Sequence, residues 1–543
     1  MAVGRKVFNL QGRANLLLLI TCLSLWFCFV SYANANELVN LPLHDEAYAF
    51  AKRLTAKNLI RNRLDTTRPL TRRAVAEALI EISERYQAGQ IALTEVESNH
   101  LRHFQYLFGD EIESLKPGFL EQAESKHTFT VKGEEYKVDF DLKAKQETAF
   151  VKPLVKESVK ESQNTSITST EVITFGKLGS NVGISSTLHS RVLLGSDTYN
   201  PYQAENVWNM EPAFTAAIVS MEGYVVLDWP WASVQWGVDE AWWGPGWHGA
   251  LMLSDNSPPK GSLRLSGSYG TVKFTYFTAI LGGGWFMEYH PKYMAAHRLE
   301  FLPYRGINIG LSEIIVFADR YEPRYLNPFI SYQIMQTEDL KNNGLLGVDF
   351  DITLVPSMEF YGELMVDDFQ INEGMDAFRV WNSKYGLLVG GYWIDPFGLE
   401  DIDARIEYAF INQYAYTHKY DITRYTHEGY IIGHRIGTDA DDLWFDVKRW
   451  FTDRFRVSLT YERERQGEGN VEKKHSVDGP RFWEFLSGVA QTTHSFSVGL
   501  SYVSFGRYSI EAEYTHSRIR NADHNPGINR KGHQLIVKAE NRF

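Results

Sequence analysis

The chain has 543 residues, a formal net charge of −12 and only two cysteines. The acidic balance argues against a nucleic-acid binder, which needs clustered Lys and Arg, although it leaves room for a locally basic lumen. Both cysteines, Cys22 and Cys28, fall within the first thirty residues, so the rest of the chain has no disulfide, thiolate nucleophile or Cys-based metal site.

In chain order, the first element is a secretion signal. Arg5, Lys6 and Arg13 precede an apolar run over 16–30, and the small residues Ser31, Ala33 and Ala35 follow it. The run is short of the ~20 apolar residues that a spanning helix needs. Residues 1–33 are therefore expected to be a signal peptide.

Residues 34–120 are expected to form a periplasmic helical segment. Ala47, Phe50, Ala51 and Leu54 fall at helical spacing, and Pro69 and Thr71 open a second helix with Val75, Ala78, Leu79 and Ile82 on one face. Thr94 followed by Glu97 has the spacing of a capping box and opens a third, with Val96, Leu101, Phe104 and Leu107 inside it.

From residue 121 to the C-terminus the pattern changes to period two. Tyr136, Val138, Phe140 and Leu142 alternate with Lys137, Asp139, Asp141 and Lys143, and similar runs recur at 272–278, 402–410, 455–461, 496–502 and 508–514. No later stretch is apolar enough to cross a bilayer as a helix. Aromatic content is 14% and mean hydropathy only −0.29. That combination fits strands with one lipid face and one polar face. About 415 residues at roughly 20–25 per strand and connection predict about 16–18 antiparallel strands in an outer-membrane β-barrel over 121–543. Segment 151–171 is polar throughout and is expected to be a mobile loop. Near the C-terminus Leu535, Val537 and Ala539 alternate with Ile536, Lys538 and Glu540, a largely charged face that Ile536 interrupts; Asn541 departs from the apolar face, and the chain closes on Phe543, as a lipid-facing last strand does.

The densest chemistry lies between Asp228 and Ser254, where six of the chain's fourteen tryptophans occur. Indole faces stack on the apolar faces of sugar rings, while carboxylates and imidazoles bond hydroxyls. Gly244-Pro245-Gly246 makes a stiff turn that separates Trp243 from Trp247. An interfacial aromatic belt or a packed plug explains the same composition. Enzyme signatures are weak. Asp239 and Glu240 are neighbours, so on a strand they face opposite ways and make no glycosidase pair. His427-Glu428 lacks the second His of a zincin helix, and no G-x-S-x-G elbow or phosphate loop occurs. Asp439, Asp441 and Asp442 form an acidic cluster without EF-hand spacing, read as a solvated loop rather than a metal site. No catalytic residue, metal or cofactor is expected.

The stretch WWGPGWHGALMLSDNSPP (242–259) resembles the signature of the Wzi-type capsule assembly family of outer-membrane proteins. LPLHDEAYAFAKRLTAKNLI and RPLTRRAVAEAL (41–79) resemble its helical region; RGINIGLSEIIVFADR, YLNPF and ELMVDDF (305–369) its central barrel; and GHRIGTDADDLWF (433–445) its late loop. The resemblance implies an outer-membrane barrel with a periplasmic helical bundle, acting as a non-enzymatic lectin that binds and helps attach capsular or other surface polysaccharide. Expected contacts are Trp242, Trp243, Trp247, Asp239 and His248, with Asp439 and Asp441 secondary. Expected partners are that polysaccharide, outer-membrane lipid and the barrel assembly machinery, with a monomer favoured. The alternative is an outer-membrane channel for oligosaccharides or small solutes, although the long Trp- and Gly-rich connections favour a plugged lumen.

Overall fold

The computed structural model describes residues 37–543, apart from 61–62, 121–126, 134–135, 153–162, 196–206, 211–214, 283–290, 339–340, 369–370, 474–479 and 505–507. The expected signal peptide lies outside the described residues.

Eighteen antiparallel strands close into a barrel. They are β1 Tyr136–Lys152, β2 Gln163–Leu178, β3 Val182–Gly195, β4 Thr215–Trp229, β5 Ala232–Asp239, β6 Lys260–Tyr269, β7 Val272–Leu281, β8 Lys292–Tyr304, β9 Ile307–Ala318, β10 Asn343–Ile352, β11 Met358–Asp368, β12 Lys384–Ile394, β13 Ile402–Ile411, β14 Ala440–Trp450, β15 Phe455–Gln466, β16 Gln491–Ser504, β17 Tyr508–Arg520 and β18 Arg530–Arg542. Closure is made by β18 against β1, with Leu535 opposite Phe150 and Val537 opposite Thr148. The short strand Phe129–Gly133 adds to the edge of β1. Connections alternate in length. Those at one end run from two to seven residues, and those at the other from nine to twenty-eight. Membrane-spanning barrels have this asymmetry.

Period two decides which side chains face out. Leu459, Phe496, Leu500, Ile510, Tyr514 and Leu535 are each 39% exposed or more, and all lie on the outer wall. The apolar alternation of the last strand, ending in Ala539 opposite Ile510, lies on that same wall.

The expected loop 151–171 is corrected in part. Its first two residues complete β1, and residues 163–171 open β2, paired to both β1 and β3. Hydrophobic alternation failed there because the outward residues Ser166, Thr168 and Thr170 are polar. The inward Thr165, Ile167 and Ser169 are buried.

The helical segment consists of α1 Glu46–Ala56, α2 Arg72–Gln87, α3 Glu95–Leu107 and α4 Gly109–Leu115. Thr94 and Glu97 form a complete capping box at α3, and Thr71 caps α2 by accepting from the Ala74 N–H. The expected third helix breaks at Phe108, giving α4 as a separate turn of helix. Phe50, Leu54, Leu79, Ile82, Leu101, Phe104, Phe108 and Ile112 form their common core.

This helical unit docks on the short-turn end of the barrel through charge. Arg53 donates to Asp395 and Asp403, each at 2.7 Å, and its Nε donates to Glu97 at 2.8 Å. Lys52 sits between Asp351 and Glu359, all three being 5% exposed or less. His100 meets the backbone carbonyl of Asp453 at 2.9 Å. Between α1 and α2 the chain enters the lumen, where Thr66 donates from its backbone N–H and its hydroxyl to Glu300. Arg298, fully buried, bonds both Thr66 and Thr67 and pairs with Asp349 at 2.9 Å.

Candidate functional site

The connection 240–259, between β5 and β6, folds back into the lumen instead of projecting from it. Trp242 and Trp243 pair as a two-residue strand with Arg68 and Thr67 of the helical unit. The Gly244 N–H donates to the Thr66 carbonyl at 2.9 Å. Gly244 has φ 134°, a conformation that favours glycine. At Gly246 a Cβ would lie 2.0 Å from the Gly249 carbonyl oxygen. The turn therefore depends on both glycines.

Two barrel carboxylates hold this reversal. Glu363 on β11 accepts from the backbone N–H groups of Gly246 and Leu251, at 2.9 and 2.7 Å. Glu407 on β13 accepts from those of Trp247 and His248, at 2.7 and 3.0 Å. Unpaired buried N–H groups cost about 1–3 kcal/mol each, so the carboxylates answer a definite need. Ala241, Trp243, Leu251, Met252 and Leu253 then pack on inward residues such as Phe277, Ile314, Leu345 and Met365. The long connection 412–439 closes over them. The Tyr416 hydroxyl donates to the Leu251 carbonyl at 2.7 Å, and the Ser254 N–H donates to the Ile432 carbonyl at 3.0 Å. These segments form a plug against one side of the lumen.

The expected contact residues divide between two environments. Trp242 and Trp243 are 6% and 2% exposed; Trp242 packs with Leu43, Ala250 and Arg68, and Trp243 meets Phe277 of the wall edge to face. Asp239 is buried and accepts from Asn40 and Gln235 at 2.8 and 2.7 Å. Asp441, also buried, takes Arg465 on both oxygens and the Tyr408 hydroxyl at 2.9 Å. Asp439 braces a neighbouring connection by accepting from the N–H of Gly469 and the hydroxyl of Ser487. That connection and residue His524 line a cleft of about 450 Å³ at the long-loop end.

Trp247 and His248, by contrast, are only half-buried. The Arg405 guanidinium lies 3.6 Å from the Trp247 ring centre, and Arg68 approaches the same indole at 5.8 Å. His248 stacks on Trp444 with ring centres 4.8 Å apart and an interplanar angle of 8°. Its Nε2 faces Glu462 at 3.3 Å and the Arg435 guanidinium at 2.8 Å. Arg435 also pairs with Asp442 at 2.8 Å and Glu464 at 3.0 Å. Burial works against the Arg435 charge, but Glu462, Asp442 and Glu464 outweigh it and hold its pKa above the ordinary value. Beside it, burial and then the Arg435 charge push the His434 pKa well below the usual imidazole range.

His248, Asp442 and Glu462 have metal-ligand spacing, but the Arg435 guanidinium occupies the space between them. The arrangement is a partly accessible surface of aromatic faces, three arginines and carboxylates, suited to hydrogen bonding hydroxyls. Arg435 lies within the 433–445 motif but is not among the expected contacts, and Glu462 and Glu464 lie far from the Trp segment in the chain. Only the even phase of Glu462 and Glu464 on β15, opposite to Leu459 and Tyr461, marks them as lumen-facing.

The model of the family described as capsule assembly protein Wzi matches residues 203–533, more than half of the chain. The chain belongs to the Wzi capsule assembly family. The match runs from the connection before β4 to β18 and so includes the plug, Trp247, His248 and Arg435. Among solved structures, the Escherichia coli Wzi, an outer-membrane protein involved in group 1 capsule assembly and described as a carbohydrate-binding β-barrel, is 16% identical. The superposition covers 93% of this chain and 99% of that one, with a TM-score of 0.59. At that identity the likeness extends to the fold. An uncharacterised 55.8 kDa protein of the Klebsiella pneumoniae cps region is 23% identical over 146 residues, 23% of this chain and 29% of that relative. The match thus spans under a third of that curated relative's length.

Proposed function

We propose that this Wzi-family barrel is an outer-membrane lectin that binds a capsular or other surface polysaccharide non-covalently and helps attach it to the cell. The observation that carries this reading is the half-buried cluster on the plug: Trp247 under Arg405, His248 stacked on Trp444, and Arg435 among Glu462 and Glu464. Aromatic faces beside paired polar groups suit sugar rings. A repeating polymer compensates for weak single contacts through avidity. In this reading the protein binds the polymer and breaks none of its bonds.

In this reading Trp247 and His248 touch the glycan, while Trp242, Trp243 and Asp239 hold the surface that presents them. Asp439 and Asp441 shape the neighbouring outer connections. Residues 1–33 direct export, and the helical unit faces the periplasm, because short turns lie on that side in outer-membrane barrels. The long connections then face outward. Insertion would pass through the barrel assembly machinery.

The test is the fraction of surface glycan that remains cell-associated after deletion of the gene. The expected result is shedding into the medium with total synthesis unchanged. Unchanged retention in the deletion strain, with the barrel present in the wild type, would overturn the lectin reading.

A further inference from the structure

The outer wall of β15–β18 carries a charged patch that the lumen site does not use. Register across these four strands is unbroken, so rows across the wall follow directly from the pairing. Leu459, Val498, Tyr514 and Leu535 form one apolar row. One step toward the long-loop end, Tyr461 and Phe496 continue into His516 and His533. The next step is cationic or ionisable throughout: Arg463, His494, Arg518 and Lys531. Beyond it stand Arg465 and Arg520.

Alternation sorts the charges on these strands. Glu462 points inward to His248, and Glu511 and Glu513 share its side of the sheet, whereas Arg463, Arg518 and Lys531 point out. Arg465 is engaged by Asp441, and Arg463 lies 3.9 Å from the same carboxylate. Among the described residues no ion pair involves Arg518, Arg520 or Lys531, and all three are exposed.

Like charges directly opposite one another on neighbouring strands are destabilising, and Arg518 faces Lys531 in that way. Such a row is stabilised by an anion on the same face. Below it the wall passes through Tyr461, Phe496, His516 and His533 to the apolar row, the pattern of a lipid-facing band ending at an interfacial girdle. Anions at that level are headgroup phosphates, which basic clusters beside membrane-spanning segments bind. Four strands at about 4.8 Å spacing give a row roughly 15 Å wide, enough for more than one phosphate of a single headgroup.

We propose that this patch binds the phosphorylated glycolipid of the outer leaflet. Arg463, Arg518 and Lys531 take its phosphates, and its acyl chains lie along Leu459, Val498 and Leu535. The inference is independent of the polysaccharide reading and depends only on the long-loop end being the outer one.

The experiment is a titration of the purified full-length protein, in neutral detergent, with diphosphoryl lipid A, monophosphoryl lipid A and phosphatidylethanolamine. Native mass spectrometry would give the stoichiometry, and heat-modifiable gel migration would verify folding of each variant. The expected result is saturable binding of diphosphoryl lipid A at least tenfold tighter than that of phosphatidylethanolamine. R518A/K531A should lose at least tenfold, and the charge-conserving R518K/K531R should retain it. Should the double alanine variant fail to fold, Lys531→Glu at the edge of the row makes the same comparison. Wild-type affinity in a folded charge-removing variant, or equal binding of phosphatidylethanolamine, would overturn the assignment.

Discussion

Glu363 on β11 and Gly246 in the plug are joined by a 2.9 Å hydrogen bond across 117 residues of sequence. The same carboxylate also takes the N–H of Leu251, so one barrel side chain closes both sides of the reversal that carries Trp247 and His248. The plug is therefore held to the wall by side-chain acceptors rather than by strand pairing, and its backbone groups depend on them.

Replacing Glu363 by Ala should loosen the plug without unfolding the barrel, because β11 keeps both ladder partners. Two buried N–H groups would lose their acceptor, a cost of about 1–3 kcal/mol each. Planar-bilayer recordings should show little steady conductance for the wild type and frequent openings for Glu363→Ala. Closed traces for both proteins would remove Glu363 as the latch, and a large steady wild-type conductance would favour the channel reading instead.

Lys52 stands between Asp351 and Glu359, all of them buried where the helical unit meets the turn between β10 and β11. Lys52→Met would leave two carboxylates facing each other without a cation, which costs about 3–5 kcal/mol in comparable buried pairs. Limited proteolysis should then cut the helical unit faster than in the wild type, leaving the barrel fragment resistant. Identical cleavage rates would show that the other contacts, led by Arg53, suffice for docking.

Acid should open the plug. His434 is fully buried beside Gly249, and burial first, then the Arg435 and His248 charges, push its pKa well below 6.5. Burial, then the Lys260 charge, lowers the His427 pKa to about 3. Between pH 6.5 and those lower values the open form binds protons that the closed form does not. The contribution of these two histidines to closure is thus fully present above pH 6.5 and weakens as the pH falls. Conductance should rise between pH 7.5 and 5, and His434→Phe should flatten that rise. A pH-independent closed state would contradict the assignment.

Much of the fold was legible because it rests on short-range rules. The 3.6-residue spacing and the Thr94–Glu97 box gave the helices, and the period-two runs gave most of the barrel. The start of β2 was missed because Ser166, Thr168 and Thr170 replace the apolar residues expected outside. The site was less legible. Trp composition pointed to segment 228–254, yet the rings of Trp242 and Trp243 are covered by a fold-back that no local pattern encodes. Arg435 and Glu462 join His248 only through barrel closure, 187 and 214 residues away in sequence.

Sugar binding at the half-buried face of the plug can be measured directly. Purified wild-type protein and Trp247→Ala/Arg435→Ala would be immobilised and exposed to the organism's isolated surface polysaccharide, with folding verified by heat-modifiable migration. The expected result is saturable retention on the wild type and at least a tenfold loss on the variant. Equal retention on both proteins would contradict the account and move the glycan contact to another surface.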